Sequence, residues 1–311
     1  MTWHPKHAFL DLQVNGYAGV DFNGDDWTES QLEEACRRLQ QDGVAGILAT
    51  VITDSVEAMT HRLHRLAVAR SHHAMIAETI AGFHIEGPFL NETRGYIGAH
   101  PAAHAQPATI KVMRQLLDAA AGMTRIVTLA PERDPQHVVT RMLAEEGVVV
   151  SAGHCNPSLD ELDAAINAGL SMVTHLGNGC PLELHRHDNF IQRALSRAER
   201  LWIGFIADGV HVPFFSLANY LKAAGIERCF IVTDAISAAG QGPGQFKLGN
   251  QDVIVDENLA TWAADRSHLM GSAGTMPRTA NNLRHEMELP EADVAKLLVE
   301  NPRRAIGWED A

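Results

Sequence analysis

Three short apolar runs in the sequence end in a side chain that binds metals, and a fourth ends in an acid. Gly82-Phe83-His84-Ile85-Glu86 stops at a carboxylate followed at once by Gly87-Pro88. Val148 to His154 and Leu170 to His175 stop at imidazoles, and Cys229 to Asp234 stops at an aspartate. A buried strand that ends at a turn leaves its last side chain at the mouth of the fold. One carboxylate oxygen and two imidazole nitrogens make a three-ligand set with a position left for water, the catalytic type of zinc site. Asp234 then stands as the free acid/base. Each residue also has a plainer reading: Glu86 paired with an arginine, Asp234 capping the next turn, a histidine hydrogen-bonded for structure.

These four positions need a scaffold that brings distant strand ends together, and the apolar periodicity supplies one. Phe9 to Val14 reads as a first strand, Glu29 to Gln41 as a helix with Leu32, Ala35, Cys36 and Leu39 on one stripe, and Val44 to Thr50 as the next strand. The alternation continues with helices at Val56 to Arg70, Ile110 to Ala119, Pro135 to Glu146, Leu159 to Ala168 and Pro213 to Ala224. Ser158 with Glu161 three residues later forms a capping-box signature before the Leu159 helix. About eight strands, each followed by a crossover, predict an α/β fold of the (β/α)8 TIM-barrel type, with a doubly wound open sheet as the alternative. Two long polar stretches, Asn91 to Pro107 and Asn178 to Asn189, read as functional loops. A small hairpin is expected near 245–262, before helices at Pro277 to Met287 and Glu291 to Val299.

A chain of 311 residues with 46% hydrophobic content suits one barrel domain over 1–311. The net charge of −13 speaks against a nucleic-acid partner, whose phosphates demand clustered Lys and Arg. No apolar run is long enough to span a membrane, and Met1 to Lys6 leads into no signal-type segment, so a cytoplasmic protein is expected. Cys36, Cys155, Cys180 and Cys229 show no CxxC spacing, in keeping with a reduced compartment. Cys155 beside His154 reads as a small buried residue rather than a ligand.

Taken as an ordered set, the motifs resemble the N-acetylglucosamine-6-phosphate deacetylases of the amidohydrolase superfamily. The resemblance runs through Asp11-Leu12-Gln13-Val14-Asn15-Gly16, His84-Ile85-Glu86-Gly87-Pro88-Phe89, Gly98-Ala99-His100, Gly153-His154 and Thr174-His175-Leu176 with Asn178. It continues through Ala207-Asp208-Gly209-Val210-His211, Thr233-Asp234-Ala235 and Gly271-Ser272-Ala273-Gly274. It implies a divalent metal, zinc by preference and iron, manganese or cobalt by the same ligands, held by Glu86, His154 and His175. It implies Asp234 as the acid/base, and His211 and His100 at the substrate. Many amidohydrolases carry His-x-His on the first strand for a second metal; here Gln13-Val14-Asn15 stands there, which implies one metal with Gln13 and Asn15 as neutral hydrogen-bonders.

The sequence departs from the family in two places. After Thr174-His175-Leu176 the family continues with an aromatic residue and Asn-Ala-Met, whereas this chain reads Gly177-Asn178-Gly179-Cys180. Asn178 and Gly179 are therefore carried over as substrate contacts. The phosphate-binding arginine has no matching motif, leaving Arg186 between His185 and His187 as the first choice and Arg94 and Lys111 behind it. The small β-sandwich of the family is not expected either, and the barrel surface left uncovered points to a homodimer. The resulting expectation is a hydrolase that deacetylates an N-acetylamino sugar, in first place N-acetylglucosamine 6-phosphate. The alternatives are an amidohydrolase of another N-acyl or cyclic amide and a non-catalytic sugar-phosphate-binding barrel.

Overall fold

The computed structural model describes residues 8–308, so the Met1 to Lys6 stretch and the last three residues lie outside it. Eight strands form one parallel sheet: β1 (Phe9–Val14), β2 (Val44–Ile52), β3 (Ile80–Glu86), β4 (Thr124–Leu129), β5 (Val149–Ala152), β6 (Leu170–Val173), β7 (Trp202–Ile206) and β8 (Cys229–Val232). Their spatial order is their chain order. A doubly wound sheet reverses its order at a switch point, so the open-sheet alternative is ruled out and the TIM-type barrel stands.

The barrel closes between β1 and β8 by unusual means. The Asp11 carboxylate takes the place of ladder bonds, accepting from Thr233 N at 3.2 Å and from the Thr233 hydroxyl at 2.5 Å. One backbone bridge, Val14 to Ala235, follows above it. Burial pushes the Asp11 carboxyl up to about 7, against the pull of its hydrogen bonds with Thr233 and Gln13.

Strand alternation divides the apolar residues into two cores. Ile47, Ala49 and Val51 of β2, Phe83 and Ile85 of β3, Val127 and Leu129 of β4, and Ile203 and Phe205 of β7 pack outward under the helices. Their neighbours Leu48, Ile126 and Ile206 join Leu10, Leu12, Met172, Phe230 and Val232 inside the barrel, where Ala305, Ile306 and Trp308 pack against the same cluster. Higher along the same inward rows the side chains turn polar: His84, Thr128, Ser151 and Thr174 are all buried.

The outer layer follows from local signals. The Leu159–Asn167 helix begins on the Ser158–Glu161 capping box, both of whose hydrogen bonds form. The helix expected from Pro135 instead starts at Val138, because Gln136 and His137 take left-handed backbone angles (φ 57° and 53°). Asp134 caps that later start, accepting from Val139 N and Thr140 N. The final helices pass into five-residue π segments at Asn282–Glu286 and Lys296–Glu300. Between β8 and those helices lies a three-stranded antiparallel sheet of Gly244–Leu248, Gln251–Val255 and Thr261–Ala263.

Candidate active site

Glu86 ends β3, and His154, His175 and Asp234 each stand two residues past the ends of β5, β6 and β8. Glu86, His154 and His175 offer ligand atoms that all lie within 4.8 Å of one another, and all three residues are buried. Glu86 Oε1 is 3.1 Å from His175 Nε2 and 3.4 Å from His154 Nε2. Ligands about 2.0–2.2 Å from a tetrahedral centre lie roughly 3.3–3.6 Å from each other, so the spacing suits a small divalent ion.

The second nitrogen of His154 fixes its proton. Nδ1–H is donated to the Tyr96 carbonyl at 2.8 Å, which leaves the Nε2 lone pair facing Glu86. Glu86 itself is gripped from the other side, its Oε2 accepting from Gln13 Nε2 at 3.1 Å. Burial works to raise the Glu86 acid, but the adjoining imidazoles of His154, His175 and His100 outweigh that and hold it well below the usual carboxylate range. For His175 burial works downward, and the hydrogen bond and charge of Glu86 reverse it to a net rise.

The residues after the strand ends are held in a backbone conformation they do not prefer. His154, His175 and Asp234 have φ of 50°, 29° and 52°, in the sparsely populated left-handed region. In each case a loop captures the carbonyl that this conformation turns outward. His154 O accepts from Asn91 N at 3.0 Å, His175 O from Asn178 N at 3.0 Å, and Asp234 O from Ser272 N at 2.8 Å. Asn178 thus holds the backbone of a cradle residue, and its side chain adds a second bond to the same oxygen at 3.2 Å. Gly179 lies against the His154 ring, where an added Cβ would come 2.8 Å from Nδ1.

Beneath the cradle runs a one-way chain of hydroxyls. His84 Nδ1 faces the Leu12 carbonyl at 3.2 Å and must donate, so its Nε2 accepts from Thr128 Oγ1 at 2.7 Å. Thr128 then accepts from Thr174 at 2.7 Å, and Thr174 from Ser151 at 2.6 Å. Burial pushes His84 down to about 4, so it is neutral at neutral pH and this direction is kept. The chain ties together β3 to β6, the four strands that flank the cradle.

Asp234 receives Asn15 Nδ2–H on Oδ1 at 2.7 Å. Burial raises its acid to about 6, with the charges of His175 and His211 pulling it down and that of Glu86 pushing it up. His211 is oriented by Asp208, whose Oδ2 takes the ring Nδ1 at 2.7 Å while Oδ1 accepts from the backbone of Val210 and His211. His100 is buried and neutral, pushed down to about 3 by burial and by His154. Thr53 N–H donates to its Nδ1 at 3.3 Å, so the ring proton sits on Nε2, 3.2 Å from His154 Nε2.

Of the residues singled out from sequence, the structure brings Glu86, His154, His175, His100 and Gln13 into one cluster, with Asp234, Asn178 and Gly179 at its edge. Arg186 is not part of it: it is exposed and makes no ion pair or hydrogen bond among the described residues, and the same holds for Arg94 and Lys111. Sequence reading missed Thr53, Tyr96 and Asn91, which act largely through backbone atoms that carry no residue signature. Asp208 was legible as the acid three residues before His211.

The sequence matches no protein-family model. It is 34% identical over 278 residues to the human N-acetylglucosamine-6-phosphate deacetylase, a match covering 86% of this chain and 66% of that protein. It is 31% identical over 300 residues to an N-acetylgalactosamine-6-phosphate deacetylase of Shewanella, covering 96% and 73%. Among solved structures, an N-acetyl-D-glucosamine-6-phosphate deacetylase variant from Mycobacterium smegmatis, in complex with N-acetyl-D-glucosamine-6-phosphate, superposes with a TM-score of 0.86 at 30% identity, covering 96% of this chain and 77% of that one. The chain belongs to the N-acetylglucosamine-6-phosphate deacetylase family. The enzyme from Pasteurella multocida gives a TM-score of 0.85 at 28% identity. This family member spans about two thirds of the length of its human relative and three quarters of that from Bacillus subtilis. Among the described residues no helix is long and apolar enough to cross a membrane.

Proposed function

We propose that this chain is a metal-dependent deacetylase that hydrolyses the acetamide of N-acetylglucosamine 6-phosphate to the free amine and acetate. The observation that carries the proposal is the buried convergence of Glu86, His154 and His175, with Asp234 alongside as an acid that titrates near neutrality. The two imidazoles and the Glu86 carboxylate would hold one divalent ion, zinc by ligand type. When bound, such an ion supplies a water acidified toward neutrality and polarises the amide carbonyl.

The chain's own residues do the rest. Asp234 takes the proton of the attacking water and returns it to the nitrogen, because an amide leaves well only as the amine. His100, with its proton fixed on Nε2 by the Thr53 amide, donates a hydrogen bond to a substrate oxygen. His211, steadied by Asp208, faces the substrate from the β7 end. We assign the phosphate to Arg186, which has no carboxylate partner among the described residues in a protein of net charge −13 and is therefore free to grip an anion. The free cysteines, three of them buried, fit a cytoplasmic setting, and the exposed Leu182 and Phe215 fit a homodimer contact.

Acetate release by metal-reconstituted protein tests the reading, with N-acetylglucosamine 6-phosphate, N-acetylgalactosamine 6-phosphate and unphosphorylated N-acetylglucosamine compared. The expected result is a preference for the first. Equal rates on the phosphorylated and unphosphorylated sugars would remove phosphate from the specificity, and no release from any of them by metal-loaded protein would remove the activity.

A further inference from the structure

The first strand carries two amide side chains, and each occupies one oxygen of one acid. Gln13 Nε2 takes Glu86 Oε2, which leaves Oε1 to face His154 and His175. Asn15 Nδ2 takes Asp234 Oδ1 at 2.7 Å, and Asp234 Oδ2 makes no hydrogen bond among the described residues. The backbone of Asp234 is already clamped, its carbonyl by Ser272 N and the preceding Thr233 by Asp11. The plane of the carboxylate is the freedom that remains, and the Asn15 bond removes it.

Fold stability does not account for an asparagine at position 15. The residue is 2% exposed, and its own Oδ1 is buried with no partner among the described residues. A half-satisfied buried amide is less stabilising than an apolar side chain of the same shape. Nor is the side chain needed to form the turn, because the Asn15 backbone holds it separately: its N donates to Ala235 O at 2.7 Å and its O accepts from Phe22 N at 2.9 Å.

Resting on the reading of Asp234 as the acid/base, we propose that Asn15 is a positioning residue that reserves Oδ1 and thereby assigns proton transfer to Oδ2. A lone pair already accepting an N–H is the poorer base, and a proton placed there would set two donors face to face. The water O–H bond therefore breaks toward Oδ2: an O–H bond forms at that atom and the electron pair stays on the attacking oxygen. When the C–N bond breaks, the same proton leaves Oδ2 for the nitrogen and the carboxylate recovers its pair. Asn15 touches neither substrate nor metal in this scheme. It acts through Asp234.

The test is Asn15→Leu in the metal-reconstituted protein, with kcat, KM, metal affinity and Tm measured together and Asp234→Asn run beside it. The expected result is a kcat lower by about ten- to a hundredfold, a KM within about twofold, unchanged metal affinity and a Tm at or above the parent's. Asn15→Ala, which removes the donor without adding apolar bulk, should show the same loss of kcat over KM if the leucine variant folds poorly. A parent-like kcat in Asn15→Leu alongside an inactive Asp234→Asn would overturn this inference alone. Joint loss of kcat, metal affinity and Tm would make Asn15 a structural residue and overturn it as well. An active Asp234→Asn would take the acid/base reading down and the inference with it.

Discussion

The strand ends and the 177–189 loop hold their residues by different physics. Glu86, His154, His175 and Asp234 are each fixed twice, through the backbone at a strand terminus and through a side chain that meets a specific partner. In the loop, only the two ends are fixed in that way: Asn178 bonds to His175 and Gly179 lies on the His154 ring at the root, and Asn189 bonds to the His185 carbonyl and caps the following helix at the far end. Farther out, Leu182 and Arg186 stand exposed, and Arg186 has no partner among the described residues. The contrast teaches where this barrel keeps its chemistry and where it can alter recognition. On the proposed function, bond cleavage would be built into strands that the core over-determines, whereas the sugar and its phosphate would be met by segments that can change without disturbing it.

Four substitutions break or sharpen the contrast. The largest effect is expected from His175→Ala, which removes a donor at a strand end: metal binding and turnover should both be lost while the barrel remains folded, as read by metal analysis and circular dichroism. Retained metal at parent stoichiometry would break the cradle assignment. Next comes Arg186→Ala, which on this account raises KM for the phosphorylated sugar by about 10- to 100-fold, the worth of a charge-assisted contact, and leaves kcat alone. A fall in kcat instead would mean that the loop shares in the chemistry.

Gly179→Ala probes the border between the two regions. Its φ of 61° and the approach of a Cβ to the His154 ring predict a weaker cradle, with metal affinity down about tenfold and a loss of about 1–3 kcal/mol in stability. Unchanged affinity would place the loop root outside the cradle's support. The smallest effect is expected at the seam. The folded protein keeps a proton on Asp11 up to about pH 7, whereas the unfolded chain releases it near 3.8. The folded state thus binds more protons between these values, and this group's contribution to stability is full below the lower one and is lost as pH rises toward 7. Asp11→Asn should flatten the fall in stability between pH 4 and 7, by at most about 1.4 kcal/mol per pH unit. Parallel curves for the two proteins in urea melts would contradict this.

How far the sequence could be read follows the same division. Strand ends were legible because apolar runs terminate at residues that a core rejects, so Glu86, His154, His175 and Asp234 announced themselves by contrast with their neighbours. The Leu159 helix was legible from its capping box. The delayed start of the Val138 helix was not, because a proline at position 135 suits either a helix or the turn before one, and Asp134 could cap only what the tertiary fold allowed. The left-handed backbone of His154, His175 and Asp234 was hidden as well, since histidine carries no glycine-like signal for it. Neither could the seam be foreseen, where Asp11 stands in for a ladder between the first and last strands, because a carboxylate within an apolar strand does not name its partner over 200 residues away.

The measurement that bears most directly on the central claim is metal content against acetate release during chelation and reconstitution, with N-acetylglucosamine 6-phosphate as substrate. The account predicts that activity disappears as the ion is removed, returns in proportion to metal restored, and saturates at one ion per chain. Acetate release that persists in fully chelated protein, or saturation that needs two ions per chain, would contradict it.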